Sequence, residues 1–287
     1  METAPDIWFP HLGIEIQALN RVAISVFGFN IYWYSLLIIL GALAGFFMAL
    51  REAKRTGQNP EHYYELFSLG IVAAIIGLRL FFVAFNWEMY RHNPLQIITG
   101  IRTGGLAIYG GIIAATIAVF IISRVRKLNI WLMLDTAAPS FVLGQAIGRW
   151  GNFFNREAFG GFTDNIFAMR ILPEQIRVSI SPELLAQTVN ARGAEYIQVH
   201  PAFLYESLWN FALFAALTLY RPRKKFNGEV FWLYLMGYGF ARFFIEGIRT
   251  DQLLIWGTEI PISQVMSALA FVAALIAIIL IRRKSTD

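Results

Sequence analysis

Cysteine is absent from the 287 residues, so the chain has no disulfide framework, no thiolate metal site and no cysteine nucleophile of its own. Charge is scarce: 15% of the residues are charged, against about 25% in an average soluble chain, while 57% are hydrophobic. That balance belongs to a polytopic membrane protein. The four histidines, His11, His62, His92 and His200, show no metal-ligand spacing, and no H-E-x-x-H stretch occurs. A G-x-S-x-G elbow, a P-loop and a glycine fingerprint following a strand are missing too. Ordinary hydrolase, nucleotide and dehydrogenase chemistry therefore has no footing. The opening stretch carries Glu2 and Asp6 without a basic n-region, which is not the pattern of a cleavable signal peptide, so these residues are expected to stay on the mature protein.

What is present is a series of long apolar runs. Crossing the hydrocarbon takes about 20 mostly apolar residues in a helix, and seven stretches meet this: Ile31 to Leu50, Leu66 to Phe85, Leu106 to Ser123, Ile130 to Gly148, Ala202 to Tyr220, Val230 to Glu246 and Ile262 to Ile281. The net charge of +5 is not spread over a face interleaved with exposed aromatics, so nucleic acid is not an expected partner. It sits in the clusters "REAKR", "RVRK", "RPRKK" and "RRK", after the first, third, fifth and seventh runs, and these hold all five lysines. The positive-inside rule puts them in the cytoplasm. The expected fold class is an all-α polytopic membrane protein of about seven helices, N-terminus outside and C-terminus cytoplasmic.

Two segments are expected outside the bilayer within this single membrane domain. Residues 1–30 read as an external N-terminal arm, because "IEIQALNRVAISVFGF" alternates in places and is rich in β-branched residues, which suits strand better than a spanning helix. Residues 156–200 read as an external cap, with a short helix expected near Pro182 to Asn190, and are too few for an independent enzyme domain.

An ionisable side chain in lipid costs about 2.5–3.5 kcal/mol for Arg at a helix centre, which makes intramembrane charge a functional hypothesis by default. Arg79, Asp135, Arg242 and Glu246 qualify. Arg242 and Glu246 lie four apart on one helix face with Arg249 a turn further, which predicts two guanidiniums around one carboxylate. Arg149 closes the fourth run on the same external side, in "GRWGNFFNREAFGG", where Asn152, Asn155, Glu157 and Gly160 continue the polar character. Guanidinium forks match phosphate oxygens, so converging arginines at bilayer depth suit an anionic lipid headgroup; the plainer reading is snorkelling to the interface. Arg79 and Asp135 read equally as structural charges. Tyr109, in "RTGGLAIYGG", reads either as packing or as a phenol offered to a polar site, and Tyr34, in "IYWYS", as an interfacial aromatic or a site residue. Glu206, in "HPAFLYES", reads as site support or as helix capping and packing.

At these residues the sequence resembles the prolipoprotein diacylglyceryl transferases of bacteria: "GRWGNFFNREAFGG" is similar to their signature, and "IYWYS", "GGLAIYGG", "HPAFLYES" and "YGFARFFIEGIRTDQ" follow in the family's order. The resemblance implies a multi-pass enzyme of the bacterial cytoplasmic membrane, its active site toward the external face, that moves the diacylglyceryl group of phosphatidylglycerol to the lipobox cysteine of a preprolipoprotein signal peptide, forms a thioether and releases glycerol phosphate, with no cofactor. It implies that Arg149 binds the lipid phosphate with Asn152 and Gly160 shaping that site, that Arg242 is a second essential arginine with Glu246 and Arg249 as partners, and that Tyr34 and Glu157 match functional positions. Some members carry histidine where this chain has Tyr109, and a phenol is a poor base near neutral pH. The alternative from another class is an anion or lipid transporter lined by the same arginines, though no inverted repeat is visible. The nucleophile missing here is one the peptide substrate would bring.

Overall fold

The computed structural model describes residues 4–100 and 104–284; Glu2 and Arg102, both weighed above, lie outside the described residues. The helices are α1 (Trp33–Arg55), α2 (Pro60–Phe85), α3 (Trp87–Tyr90), α4 (Gln96–Thr99), α5 (Ile108–Val125), α6 (Ile130–Asn155), α7 (Pro182–Leu185), α8 (Ala202–Tyr220), α9 (Glu229–Ile248) and α10 (Ile262–Lys284). Each of the seven apolar runs is helical over most of its length, the first only from Trp33 and the third only from Ile108. Five are long and apolar enough to cross a membrane by themselves: α1, α2, α6, α8 and α10. At 18 residues, α5 reaches only about 27 Å at 1.5 Å per residue, and α9 has its apolar run broken by Arg242 and Glu246. The protein is mostly helical but not all-α. The strands are β1 (Ile7–Phe9), β2 (Ile14–Ile16), β3 (Val22–Val26), β4 (Phe29–Tyr32), β5 (Met169–Ile171), β6 (Val189–Ala191) and β7 (Ala194–Val199).

The chain divides into two compact units, Phe46–Thr136 and the remainder on either side of it. In the larger unit, a five-stranded antiparallel sheet runs β2-β1-β5-β7-β6. The N-terminal arm and the cap are therefore one structure, because β1 enters beside β5 with Ile7 opposite Ile171. The helix expected near Pro182 to Asn190 is only the four residues of α7, since Val189 to Ala191 pair with β7 instead. Arg192 and Gly193, at φ +51° and +74°, make the two-residue left-handed turn that fits the twist of a hairpin. The sheet buries Ile7, Phe9, Ile171 and Val199 against Phe153 of α6 and Phe203 of α8. This fixes the ends of the two helices that bear the polar residues of interest. Apart from the sheet, β3 and β4 form a hairpin that leads directly into α1.

In the smaller unit α2 and α5 touch backbone to backbone. A Cβ at Gly110 would lie 2.1 Å from the Gly77 carbonyl oxygen and 2.3 Å from Phe81 Cβ, so this glycine is there for close helix approach. Gly110→Val is expected to cost about 1–3 kcal/mol through overpacking, read as a lower Tm of the detergent-purified protein; an unchanged Tm would rule out the tight contact. Arg79 is structural: its guanidinium donates to the carbonyls of Gln96, Ile97, Gly104 and Gly105 at 2.7–3.0 Å and lies over the Tyr90 ring at 5.1 Å. It clamps α4 and the segment ahead of α5 to its own helix with four hydrogen bonds. Asp135 is buried in the same unit.

Candidate functional site

In the larger unit, α6, α8 and α9 bring the charged residues together. Residues 149 and 152 share one face of α6, and 242 and 246 one face of α9, by helical spacing alone. Between them stands Glu206 of α8, 2% exposed. Its Oε1 meets Arg149 Nη2 at 2.6 Å and its Oε2 meets Arg242 Nη1 at 3.1 Å. Arg242 also pairs with Glu246, and the Tyr238 phenol donates a long hydrogen bond of 3.5 Å to Glu206. A carboxylate removed from water needs such partners, since an isolated buried charge is prohibitively costly. One carboxylate thus aligns two guanidiniums from different helices.

The signature stretch continues the network. Arg149 makes a weak 3.5 Å contact with Asn152 Oδ1, and Asn152 and Asn155 both donate to Glu157 Oε1 at 3.0 and 3.1 Å. Gly160 is a closure point: its N–H donates to the His200 carbonyl, the Gly161 N–H donates to the Ile248 carbonyl, and the His200 N–H returns to Gly161. A Cβ at Gly160 would sit 2.8 Å from both His200 Cβ and the Ile248 oxygen, so no larger residue fits between the starts and ends of α8 and α9. The Tyr34 ring lies against the same helix, where a Cβ at Gly151 would come 2.6 Å from Tyr34 Cδ2. Beside it a cavity of about 160 Å³ is lined by Arg21, Tyr32, Tyr34, Ser35 and Asn155.

Arg249 departs from the expectation of two arginines around Glu246. Its guanidinium forks onto Asp251 at 2.9 and 2.7 Å, because the backbone turns extended at Arg249, with ψ 150°, and brings Asp251 to it, while Glu246 and Glu206 act on the same guanidinium through their charge. Burial works to raise the Asp251 carboxyl, and the Arg249 guanidinium overrides it and holds it below the usual carboxylate range. His200 is pulled below the usual imidazole range by burial, so it is neutral at pH 7. Tyr109 belongs to the smaller unit and is about half exposed.

Of the two sequence readings of Glu206, site support and helix capping or packing, the contacts with Arg149 and Arg242 favour the first. The signal of Glu206 was a lone carboxylate inside an apolar run, where desolvation demands a cationic partner. Arg21 was missed, because it sits outside every run and joins the network only through its 3.3 Å bond to Asn155 Oδ1.

Residues 21–280 match the family model described as "Prolipoprotein diacylglyceryl transferase". The chain belongs to that family. It is 41% identical over 270 residues to the phosphatidylglycerol--prolipoprotein diacylglyceryl transferase of Enterococcus faecalis (strain ATCC 700802 / V583), covering 93% of this chain and 92% of that protein. The protein of the same name from Bacillus cytotoxicus is 42% identical over 272 residues, covering 94% and 95% of the two chains. A third, from Bacillus cereus (strain ATCC 14579), is 42% identical over 271 residues, 94% of each. The family match spans the arginine network from Arg21 to Asp251, and these relatives are transferases of a lipid to a protein, which disfavours the transporter reading.

Proposed function

We propose that the protein transfers the diacylglyceryl group of phosphatidylglycerol to the lipobox cysteine of preprolipoproteins, the first step of bacterial lipoprotein maturation. The observation that carries this reading is the pair of guanidiniums, Arg149 of the family signature and Arg242, aligned by Glu206. In the reaction, the substrate's thiolate sulfur attacks the glyceryl carbon that bears the phosphate ester. The C–S bond forms as the C–O bond breaks, glycerol phosphate leaves with the bonding pair, and the thiol proton passes to a base. Negative charge grows on the departing phosphate. Fixed guanidiniums stabilise that charge more than they stabilise the ground state, which is how electrostatic catalysis lowers a barrier.

In this reading Arg149 and Arg242 hold the phosphate, Asn152, Asn155 and Glu157 orient Arg149 and offer polar contacts to the headgroup, and Gly160 keeps the external loop close. Glu246 holds Arg242, and Arg249 guards the same side. Tyr34 packs beside the site and borders the donor headgroup. Some family members carry histidine where this chain has Tyr109, so its phenol is a candidate for handling the thiol proton, and Tyr109→Phe tests it: unimpaired transfer across the pH range would reduce Tyr109 to a packing residue. Seven spans, an external N-terminus and a cytoplasmic C-terminus follow from the basic clusters at the ends of α1, α5, α8 and α10. That orientation puts the network and the sheet on the external face of the bacterial cytoplasmic membrane, where a lipobox emerges after translocation. The purified protein, phosphatidylglycerol and a cysteine-bearing lipobox peptide are expected to yield a peptide heavier by one diacylglyceryl group, detected by mass spectrometry. An unmodified peptide with a folded protein would overturn the reading.

A further inference from the structure

A second cationic cavity lies in the larger unit, built from β3, β4 and the loops that flank the sheet. It measures about 320 Å³ and is lined chiefly by Asn20, Arg21, Tyr32, Arg156, Gln175 and Arg177. No aspartate or glutamate lines it. Arg21 and Arg177 have no carboxylate partner among the described residues, and Asp6, which pairs with Arg156, already accepts from the Leu19 N–H, Arg156 and Gln175. Arg156 is 3% exposed and pairs with Asp6 at 3.2 Å, yet its Nε has no hydrogen-bond partner. It is also held at φ +54°, a conformation that costs a non-glycine residue free energy and persists where surrounding structure enforces it. Burial pulls the Arg156 guanidinium below its ordinary range; Asp6 opposes this, and the like charges of Arg21 and Arg177 reinforce it. Three guanidiniums line one space and Asp6 offsets only that of Arg156, so the remaining positive charge is unbalanced and an anion relieves the repulsion.

This cavity and the smaller one beside Tyr34 share Arg21 and Tyr32. A continuous polar lining therefore runs from Asn155, in the candidate site, to Arg177. The chemistry of the lining selects the anion. Arginine forks suit phosphate oxygens, and the amides of Asn20, Asn30 and Gln175 with the Tyr32 phenol suit a neighbouring polyol.

We propose that this cavity is a second anion site that takes a phosphoglycerol group, the water-soluble product on its way out of the transfer site. The proposal rests on the transferase reading for the identity of the group, but not for the presence of the site. The test is isothermal titration of the detergent-purified protein with glycerol phosphate at fixed salt, beside a titration with phosphatidylglycerol in nanodiscs. Saturable binding of glycerol phosphate is expected, weakened about tenfold or more in Arg177→Gln, as loss of one charge-assisted contact implies. Arg177 is exposed and pairs with no carboxylate among the described residues, and Asn30→Asp supplies a second variant that weakens binding by adding a negative charge. In the transfer assay, added glycerol phosphate is expected to inhibit the wild type and to inhibit Arg177→Gln at least tenfold less potently, with uninhibited turnover unchanged. Equal affinity in wild type and both variants, or binding of the lipid alone at Arg177, would overturn the proposal and leave the transferase reading standing. A wild-type protein that binds glycerol phosphate through Arg177 but never modifies the peptide would instead overturn the transferase reading alone.

Discussion

Arg242→Ala is expected to slow formation of the diacylglyceryl peptide by about 10²–10³-fold, the usual loss when one preorganised donor to a developing oxyanion is removed. Arg149→Ala is expected to do the same, and the double variant to lose little beyond either single one, because the two guanidiniums act on one group and such effects are not additive. Lysine substitutions are expected to rescue poorly. An ammonium restores the charge but not the planar fork that satisfies Glu206 or a phosphate with two parallel hydrogen bonds. The measurement is the single-turnover rate by mass spectrometry, with size-exclusion behaviour and Tm as the control for folding. Near-normal rates in either alanine variant would remove that arginine from the chemistry.

The second large effect falls on Glu206. Its carboxylate is almost wholly buried and holds Arg149 and Arg242 at 2.6 and 3.1 Å. Glu206→Ala leaves two guanidiniums facing each other with no anion between them. Removing one partner of a buried ion pair costs about 3–5 kcal/mol, so a strongly lowered Tm is expected together with loss of transfer. Glu206→Gln is expected to keep more stability, since an amide still accepts a hydrogen bond, while activity stays low because the two arginines are no longer aligned by charge. A saturating phospholipid should raise the Tm of Glu206→Ala more than that of the wild type, its phosphate taking the carboxylate's place between the arginines. Identical lipid-induced shifts would contradict the idea that both arginines meet the same anion.

The hydrophobic architecture was legible because lipid imposes a long, unbroken apolar pattern on a helix, and all seven runs are helical over most of their length. Local patterning also foretold strands ahead of Trp33. What it did not reveal is that Ile7 pairs with Ile171, since pairing across so long a separation leaves no local trace. Within the site, spacing on one helix was readable, as for Arg242 with Glu246. Contacts between helices were not: Glu206 stood out only as a misplaced charge, with nothing to say that it bridges α6 and α9. Arg249 is one turn from Glu246 in sequence, but the helix ends at Ile248 and its hydrogen bonds go to Asp251, two residues on. Arg79 drew attention for its depth in an apolar run, but it donates to carbonyls of α4 and of the segment ahead of α5.

The most direct measurement is a structure of the protein with phosphatidylglycerol bound. One phosphate within hydrogen-bond reach, about 2.7–2.9 Å, of both the Arg149 and Arg242 guanidiniums is the expected result, with the glyceryl carbon open toward the external face. A phosphate that touches neither arginine, with both still bound to Glu206, would contradict the assignment.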